Sequence, residues 1–335
     1  MQSQQALLPL KARSFGWGAL ASAALMIWAP APARAGTLLA PSVSQEDNYN
    51  EQFTFTADLA DGGYVWIQLA VSNLGPGAGH GACRVIALRP GQKPWTAMER
   101  VSRDKWSHDA ASDTLKIATC SATLGESLIV RANLDGGSAE LRLTGRAAAT
   151  IPHRAVPVGA GNHETTLLYA FAAATATVQF PGQAAVPSAG GGNAEHTRST
   201  VEPRSLAKRW VRFRALRGPS KLLLLARQDQ AGRLEPGWTM APGNSVVRLD
   251  RLQLLKGGTK NGPEWTFDFR AGGTLLQLKS VSLLHRSAPI EEMSAFIAAV
   301  LRPIVGSPVT FIHRASLQVG GGPAIAGILE VSEHD

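Results

Sequence analysis

The sequence predicts an all-β protein of two antiparallel domains, and three observations carry that reading. Apolar and polar residues alternate with period two in short runs along most of the chain. Glycine-rich turn residues separate many of these runs. The 335 residues also suit two domains of about 150 residues each. Many short strands at regular spacing point to β-sandwiches or β-barrels.

The first clear strand signal is Gln52–Leu59, with Phe53, Phe55, Ala57 and Leu59 on one face and Thr54, Thr56 and Asp58 on the other. Asp61-Gly62-Gly63 supplies a tight turn. Tyr64–Ser72 then alternates again, with Val65, Ile67, Leu69 and Val71 opposite Tyr64, Trp66, Gln68 and Ser72. Two such runs joined by glycine-rich residues predict a β-hairpin. Further strands are expected over Cys83–Leu88, Leu115–Thr119, Ser127–Asn133 and Ala139–Gly145, with Asp135-Gly136-Gly137 as another hairpin turn.

Pro181–Asn193 is small and rich in Gly, Pro and Ala, and reads as a linker or long loop. It divides an N-terminal domain, 36–185, from a C-terminal domain, 186–335. The second set of strands is expected over Trp210–Leu216, Leu222–Gln228, Ser245–Leu254, Trp265–Arg270, Thr274–Leu284, Val309–Val319 and Ile325–Val331. One short helix interrupts the C-terminal domain. Pro289 sits where a helix starts, and Glu291 and Glu292 fall in its first turn, where the macrodipole favours acids. Ile290, Met293, Phe296, Ile297, Val300 and Leu301 recur at helical spacing until Pro303, which predicts a core-facing helix laid across the open end of a barrel.

Residues 1–35 have the order of a cleavable secretory signal: Lys11 and Arg13, an uncharged run from Ser14 to Pro32, and the small-residue triplet Ala33-Arg34-Ala35. No later segment is long and apolar enough to span a bilayer as a helix. A periplasmic or secreted protein is therefore expected. Removing this segment takes away three of the 33 basic residues and none of the 25 acidic ones, lowering the formal charge from +8 to +5. The basic residues form no recognisable nucleic-acid motif with aromatics, so a nucleic-acid partner is not expected. The two cysteines, Cys83 and Cys120, are an even count in an oxidising compartment, which permits a disulfide; two separate buried thiols are the alternative.

No nucleophile elbow, phosphate-cradling glycine loop, metal-binding His pair or dinucleotide fingerprint is present, and no cofactor or metal is expected. Glu195-His196-Thr197-Arg198-Ser199 combines acid, imidazole and guanidinium. In a strand, Glu195, Thr197 and Ser199 point one way and His196 and Arg198 the other. His196 beside Arg198 could bind an oxyanion or donate a proton, or could serve as a structural pair at the domain boundary. Tyr64, Trp66 and Gln68 form an amphipathic stripe suited to an apolar pocket with polar handles, or to the filling of a closed barrel. Trp210, Arg212 and Arg214 share a face of the next strand, where Arg212 is a ligand candidate and a solvated surface is the alternative.

Asp61-Gly62-Gly63-Tyr64-Val65-Trp66-Ile67-Gln68, Asn73-Leu74-Gly75 and Leu88-Arg89-Pro90-Gly91-Gln92-Lys93-Pro94 resemble the N-terminal half of the Svf1-like tandem-lipocalin proteins. Glu195-His196-Thr197-Arg198-Ser199 with Arg209-Trp210-Val211-Arg212-Phe213 resembles the opening of their second half. Pro308-Val309-Thr310-Phe311 and Ala326-Gly327-Ile328-Leu329-Glu330-Val331 fit as well. The group includes bacterial proteins related to hydroxyneurosporene synthase, and fungal pericyclases. The resemblance implies two lipocalin-like β-barrels that carry an apolar small molecule or act on one without a cofactor. Its hydratase branch commonly shows a His-Asn-Trp-Gly-type motif near the start of the second domain. Here Thr197, Arg198 and Ser199 follow His196, so only the histidine carries over.

The leading expectation is an exported binding or transport protein for a fatty acyl, sphingolipid-like or isoprenoid molecule held in a β-barrel cavity. Tyr64, Trp66, Gln68, His196, Arg198, Trp210 and Arg212 are its candidate contacts. The alternatives are a cofactor-free isomerase, hydratase or cyclase acting on a polyene or isoprenoid, with Glu195 and His196 as acid/base and Arg198 polarising the substrate, or an interaction protein with closed barrels.

Overall fold

A computed structural model describes residues 37–74, 78–145, 156–158, 160–243, 246–258, 264–291, 295, 298–299, 302 and 306–334. The secretory signal expected over residues 1–35 and most of the helix expected over 289–303 lie outside the described residues.

Twelve antiparallel strands form the first sheet: β1 (Asn50–Leu59), β2 (Tyr64–Ser72), β3 (His80–Leu88), β4 (Trp95–Val101), β5 (Trp106–Asp109), β6 (Thr114–Ile117), β7 (Cys120–Leu124), β8 (Ser127–Leu134), β9 (Gly137–Thr144), β10 (Val156–Val158), β11 (Gly161–Gln179) and β12 (Val186–Ser199). Their order is β4-β3-β2-β1-β12-β11-β9-β8-β7-β6-β5, with β10 on β11. Alternation places Phe53, Phe55, Val65, Ile67 and Leu69 inside, where they pack with residues from β6 to β9. The sheet curls around that core into a nearly closed barrel. Cys83 in β3 and Cys120 in β7 form a disulfide, joining strands that are far apart in sheet order.

A single helical turn, α1 (Pro203–Leu206), precedes the second barrel. This barrel closes through β13 (Arg209–Ala215), β14 (Leu222–Gln228), β15 (Leu234–Met240), β16 (Val247–Lys256), β17 (Thr266–Ala271), β18 (Thr274–Ser287), β19 (Val309–Val319) and β20 (Ala324–Glu333). Val211, Phe213, Phe267, Phe269, Leu317 and Leu329 are among the side chains that fill it. The two barrels confirm an all-β, tandem architecture.

The linker expected over Pro181–Asn193 is corrected by β12, which takes in most of that segment and pairs with both β1 and β11. The glycines that read as flexibility serve close packing. A Cβ at Gly190 would lie 2.1 Å from the Asp58 carbonyl oxygen, and one at Gly191 would lie 1.9 Å from that of Leu216. Sheet membership changes between Ser199 and Arg209, so a division at 185/186 falls before the last strand of the first sheet.

Two buried histidines tie this packing to pH. Burial pushes His163, on β11, down to about 3, and the charges of Arg227 and Arg212 add to the effect. Burial likewise pushes His313, inside the second barrel, down to about 4. In the unfolded chain both bind a proton near pH 6.5, whereas the folded protein resists protonation until far lower. Stability is therefore unaffected by these groups above about pH 6.5 and falls as the pH drops toward 4, by at most about 1.4 kcal/mol per pH unit for each histidine. Urea unfolding at pH 7.5, 6 and 5 should show this decline, and His313→Leu should reduce its slope. A flat profile would contradict the burial.

Candidate functional site

The polar faces of the two barrels look at each other. In the first sheet the register aligns Gln68, Thr54 and Glu195 in one row, and Gln52 with Thr197 in the next. These side chains point away from the first core because their neighbours Phe53, Phe55 and Ile67 point into it. In the second barrel Arg212, Glu330 and Ile312 form one row, and Arg214, Ile328 and Arg314 form another.

Where the faces meet, polar groups bond across the seam. Tyr64 Oη donates to Glu330 Oε1 at 2.5 Å. Arg214 donates from Nε and Nη2 to Glu195 Oε1 at 3.3 and 3.1 Å, and its Nη1 lies 2.9 Å from Glu330 Oε2. Arg314 and Arg217 both reach Asp58, at 2.6 and 2.9 Å. Tyr64, Ile86, Leu88, Ile312 and Ile328 add an apolar cluster to the seam.

This floor holds fixed charges. Burial alone would raise the Glu330 carboxyl, but the Arg214 and Arg212 charges and the Tyr64 hydroxyl hold it below its usual value. Burial and the Glu330 charge push Tyr64 well up, so it stays a protonated donor. Burial would lower Arg214, yet Glu195, Glu330 and Tyr64 reverse this and hold its guanidinium charged. Arg214 is 2% exposed.

Above the floor lies a cleft of about 240 Å³. Trp66, Ile86 and Ile312 give it apolar walls, while Thr54, Gln68 and Arg212 supply polar handles. Arg84 lies over the Trp66 ring at 5.7 Å. Polar and charged side chains make up most of the cleft lining, with Trp66, Ile86 and Ile312 as the larger apolar contributions.

The structure brings Trp66, Gln68, Glu195 and Arg212 together here. Tyr64 is buried beneath them with its hydroxyl committed to Glu330. Trp210 is buried beside His163, their ring centroids 5.1 Å apart, with Arg212 stacked over it at 4.9 Å.

His196 points to the opposite face. Its Nε2 lies 2.5 Å from Glu51 Oε1, and its ring stacks on Phe53 at 4.3 Å. The Tyr49 hydroxyl and the Ser42 amide donate to the same buried carboxylate. Arg198 is half exposed, beside Ser42 and Glu164. Strand alternation thus separates His196 and Arg198 from Glu195, and the acid/base pair expected of Glu195 and His196 cannot act on one substrate. Alternation also moves the expected contacts out of the barrel interior, since Trp66, Gln68 and Arg212 all sit on outer faces.

The sequence alone does not single out Arg214 and Glu330 as site residues. The face shared by Arg212 and Arg214 is visible in the sequence, but its burial depends on the other barrel. Among the described residues no group of three or more His, Cys, Asp or Glu side chains is placed to hold a metal ion. No helix among them is long and apolar enough to cross a membrane.

No protein-family profile matches the chain, and no curated protein sequence matches it. Solved structures do. The chain is similar to the AttH-assigned protein of Nitrosomonas europaea, at a TM-score of 0.62 and 11% identity over 86% of this chain and 93% of that one. It is similar to CghA, at 0.62 and 12% over 90% and 92%, a protein also solved with Sch210972. It is similar to kievitone hydratase of Nectria haematococca, at 0.55 and 10% over 85% and 89%. At these identities the likeness is one of fold: the chain has the tandem lipocalin-like β-barrel architecture of these proteins.

Proposed function

We propose that this is an exported binding protein for a lipophilic small molecule, held in the cleft between the two barrels. The observation that carries the reading is the division of labour at the seam. Glu330 takes the Tyr64 hydroxyl and pairs with Arg214, and above them Trp66, Ile86 and Ile312 offer apolar contact among polar groups that include Gln68 and Arg212. The CghA complex with Sch210972 supports an organic ligand for this architecture. The signal-like N-terminus and the Cys83–Cys120 disulfide support export to an oxidising compartment.

Native mass spectrometry of protein isolated without detergent tests this. The expected spectrum shows a bound organic molecule in the wild type, and Trp66→Ala lowers its occupancy several-fold. Protein that emerges empty after gentle preparation, and binds no lipid extract from its producing cells, would refute the reading.

A second reading is favoured by one neighbour, the kievitone hydratase, and by the placement of Glu195 at the cleft. It makes the site a cofactor-free acid/base catalyst acting on a polyene or isoprenoid, with Glu195 as the proton-transfer group and His196 excluded by its orientation. Glu195→Gln would then stop conversion of the bound molecule while leaving its occupancy intact. Occupancy without any conversion in the wild type supports the carrier.

A further inference from the structure

Two charged groups in the cleft lining stand just out of reach of each other. Glu195 is 7% exposed, and its Oε1 accepts both bonds from Arg214. Its Oε2 takes no hydrogen bond among the described residues and meets only Arg212 Nε, at 3.9 Å. Arg212 makes no hydrogen bond among them either; it rests over the Trp210 ring with its donors unspent. The gap is too long for a direct bond. It leaves room for one oxygen between the two, accepting from the guanidinium and donating to the carboxylate.

The neighbouring row is likewise half used. Gln68 gives its Nε2 to Gln52 Oε1 and Thr54 Oγ1, at 2.9 and 3.2 Å. Its Oε1 is left as an acceptor, and the Thr54 hydroxyl proton as a donor. Thr197, paired with Gln52 across β1 and β12, adds a further hydroxyl to the lining. The cleft therefore presents donors and acceptors side by side.

Charge decides between head groups. Arg84, Arg212 and Arg214 share the lining with Glu195 and Glu330, the two acids being 7% and 6% exposed. A carboxylate only accepts, and here it would lie against two buried acids. An ammonium only donates, and would lie among three guanidinium groups. A hydroxyl does both and meets neither repulsion.

We propose that the cleft selects an uncharged, polyhydroxylated head group on its apolar ligand. One hydroxyl bridges Arg212 and Glu195, a second bonds Gln68 and Thr54, and the apolar part lies against Trp66, Ile86 and Ile312. The inference rests on the cleft being the ligand site. Its volume of about 240 Å³ falls below the ~300–1,000 Å³ usual for a drug-sized ligand, which suits a head group better than a whole amphiphile.

Calorimetric titration of the full-length protein with octyl β-glucoside, octanoate and octylamine, all below micelle formation, tests the proposal. The three probes share a chain and differ in the head group. The glucoside should bind at least about tenfold more tightly than either charged probe. Gln68→Leu should weaken the glucoside about fivefold and leave octanoate unchanged, and Arg212→Gln should weaken it about tenfold. Selection by the wild type is read without any variant, so it stands even where one of them is unstable. Equal binding of the three probes, or a preference for a charged one, overturns the head-group proposal and leaves the cleft reading standing. Binding of none overturns both. A glucoside preference kept in full by both folded variants places the head group elsewhere and overturns the assignment.

Discussion

Arg214→Met should lower the stability of the protein by about 3–5 kcal/mol, the largest effect expected of any single side chain at the seam. Arg214 is 2% exposed and stands between two carboxylates, Glu195 and Glu330. Methionine fills similar space but leaves both acids buried without their cation, so the loss measures their uncompensated desolvation rather than a missing contact. A second set of variants separates these terms. Combining Arg214→Met with Glu195→Gln and Glu330→Gln removes the stranded charges and should recover most of the loss, because a neutral buried cluster avoids ionic desolvation. Tyr64→Phe should cost only about 1 kcal/mol, since Glu330 keeps Arg214. Equilibrium urea unfolding reads all three. A loss below about 1 kcal/mol for Arg214→Met would mean that water reaches the network and that the barrels do not pack as described.

Removing the disulfide should have the next largest effect. Cys83 and Cys120 are 37 residues apart, and closing a loop of that length in the unfolded chain corresponds to about 4 kcal/mol in the chain-entropy account. The bond also has a mechanical role. The first sheet ends in β4 and β5, and the disulfide joins β3 to β7, holding the two ends of the curled sheet around one core. Cys83→Ala with Cys120→Ala should therefore lower the urea midpoint strongly and expose the β4 and β5 edges to hydrogen exchange. The second barrel should keep its protection, since its strands close on themselves. Unchanged stability in the double variant would contradict this role.

What the sequence made legible follows from which forces act locally. Period-two alternation in Gln52–Leu59 and Tyr64–Ser72 identifies the hairpin and its inward face, because side-chain direction along a strand is fixed by the backbone. The same alternation separates Glu195 from His196 across β12. It does not say which face is buried by a neighbour. Arg212 and Arg214 look like a solvated stripe until the first barrel covers them, and their partners Glu195 and Glu330 are distant in sequence. The glycines at 190–192 mislead for a related reason. Local composition reads as a flexible linker, whereas tertiary approach of Asp58 and Leu216 demands residues without a Cβ. β11 escapes notice because its central Ala and Thr residues carry a weak hydropathy contrast, and its register shifts near Tyr169 interrupt the pattern.

The placement of the expected ligand changes accordingly. Aromatic residues inside the two barrels, such as Phe55 and Phe267, pack on their own cores, while Trp66 and Ile312 line the cleft between them. One photolabelling measurement distinguishes the two locations directly. A diazirine-bearing medium-chain alkyl probe is bound to the full-length protein and irradiated, and the adducts are mapped by peptide mass spectrometry. Adducts are expected on Trp66, Ile86 and Ile312, suppressed by an excess of the same compound without the diazirine. Adducts confined to the interior residues Phe53, Phe55, Phe267 or Phe269 would contradict it and return the site to a barrel cavity.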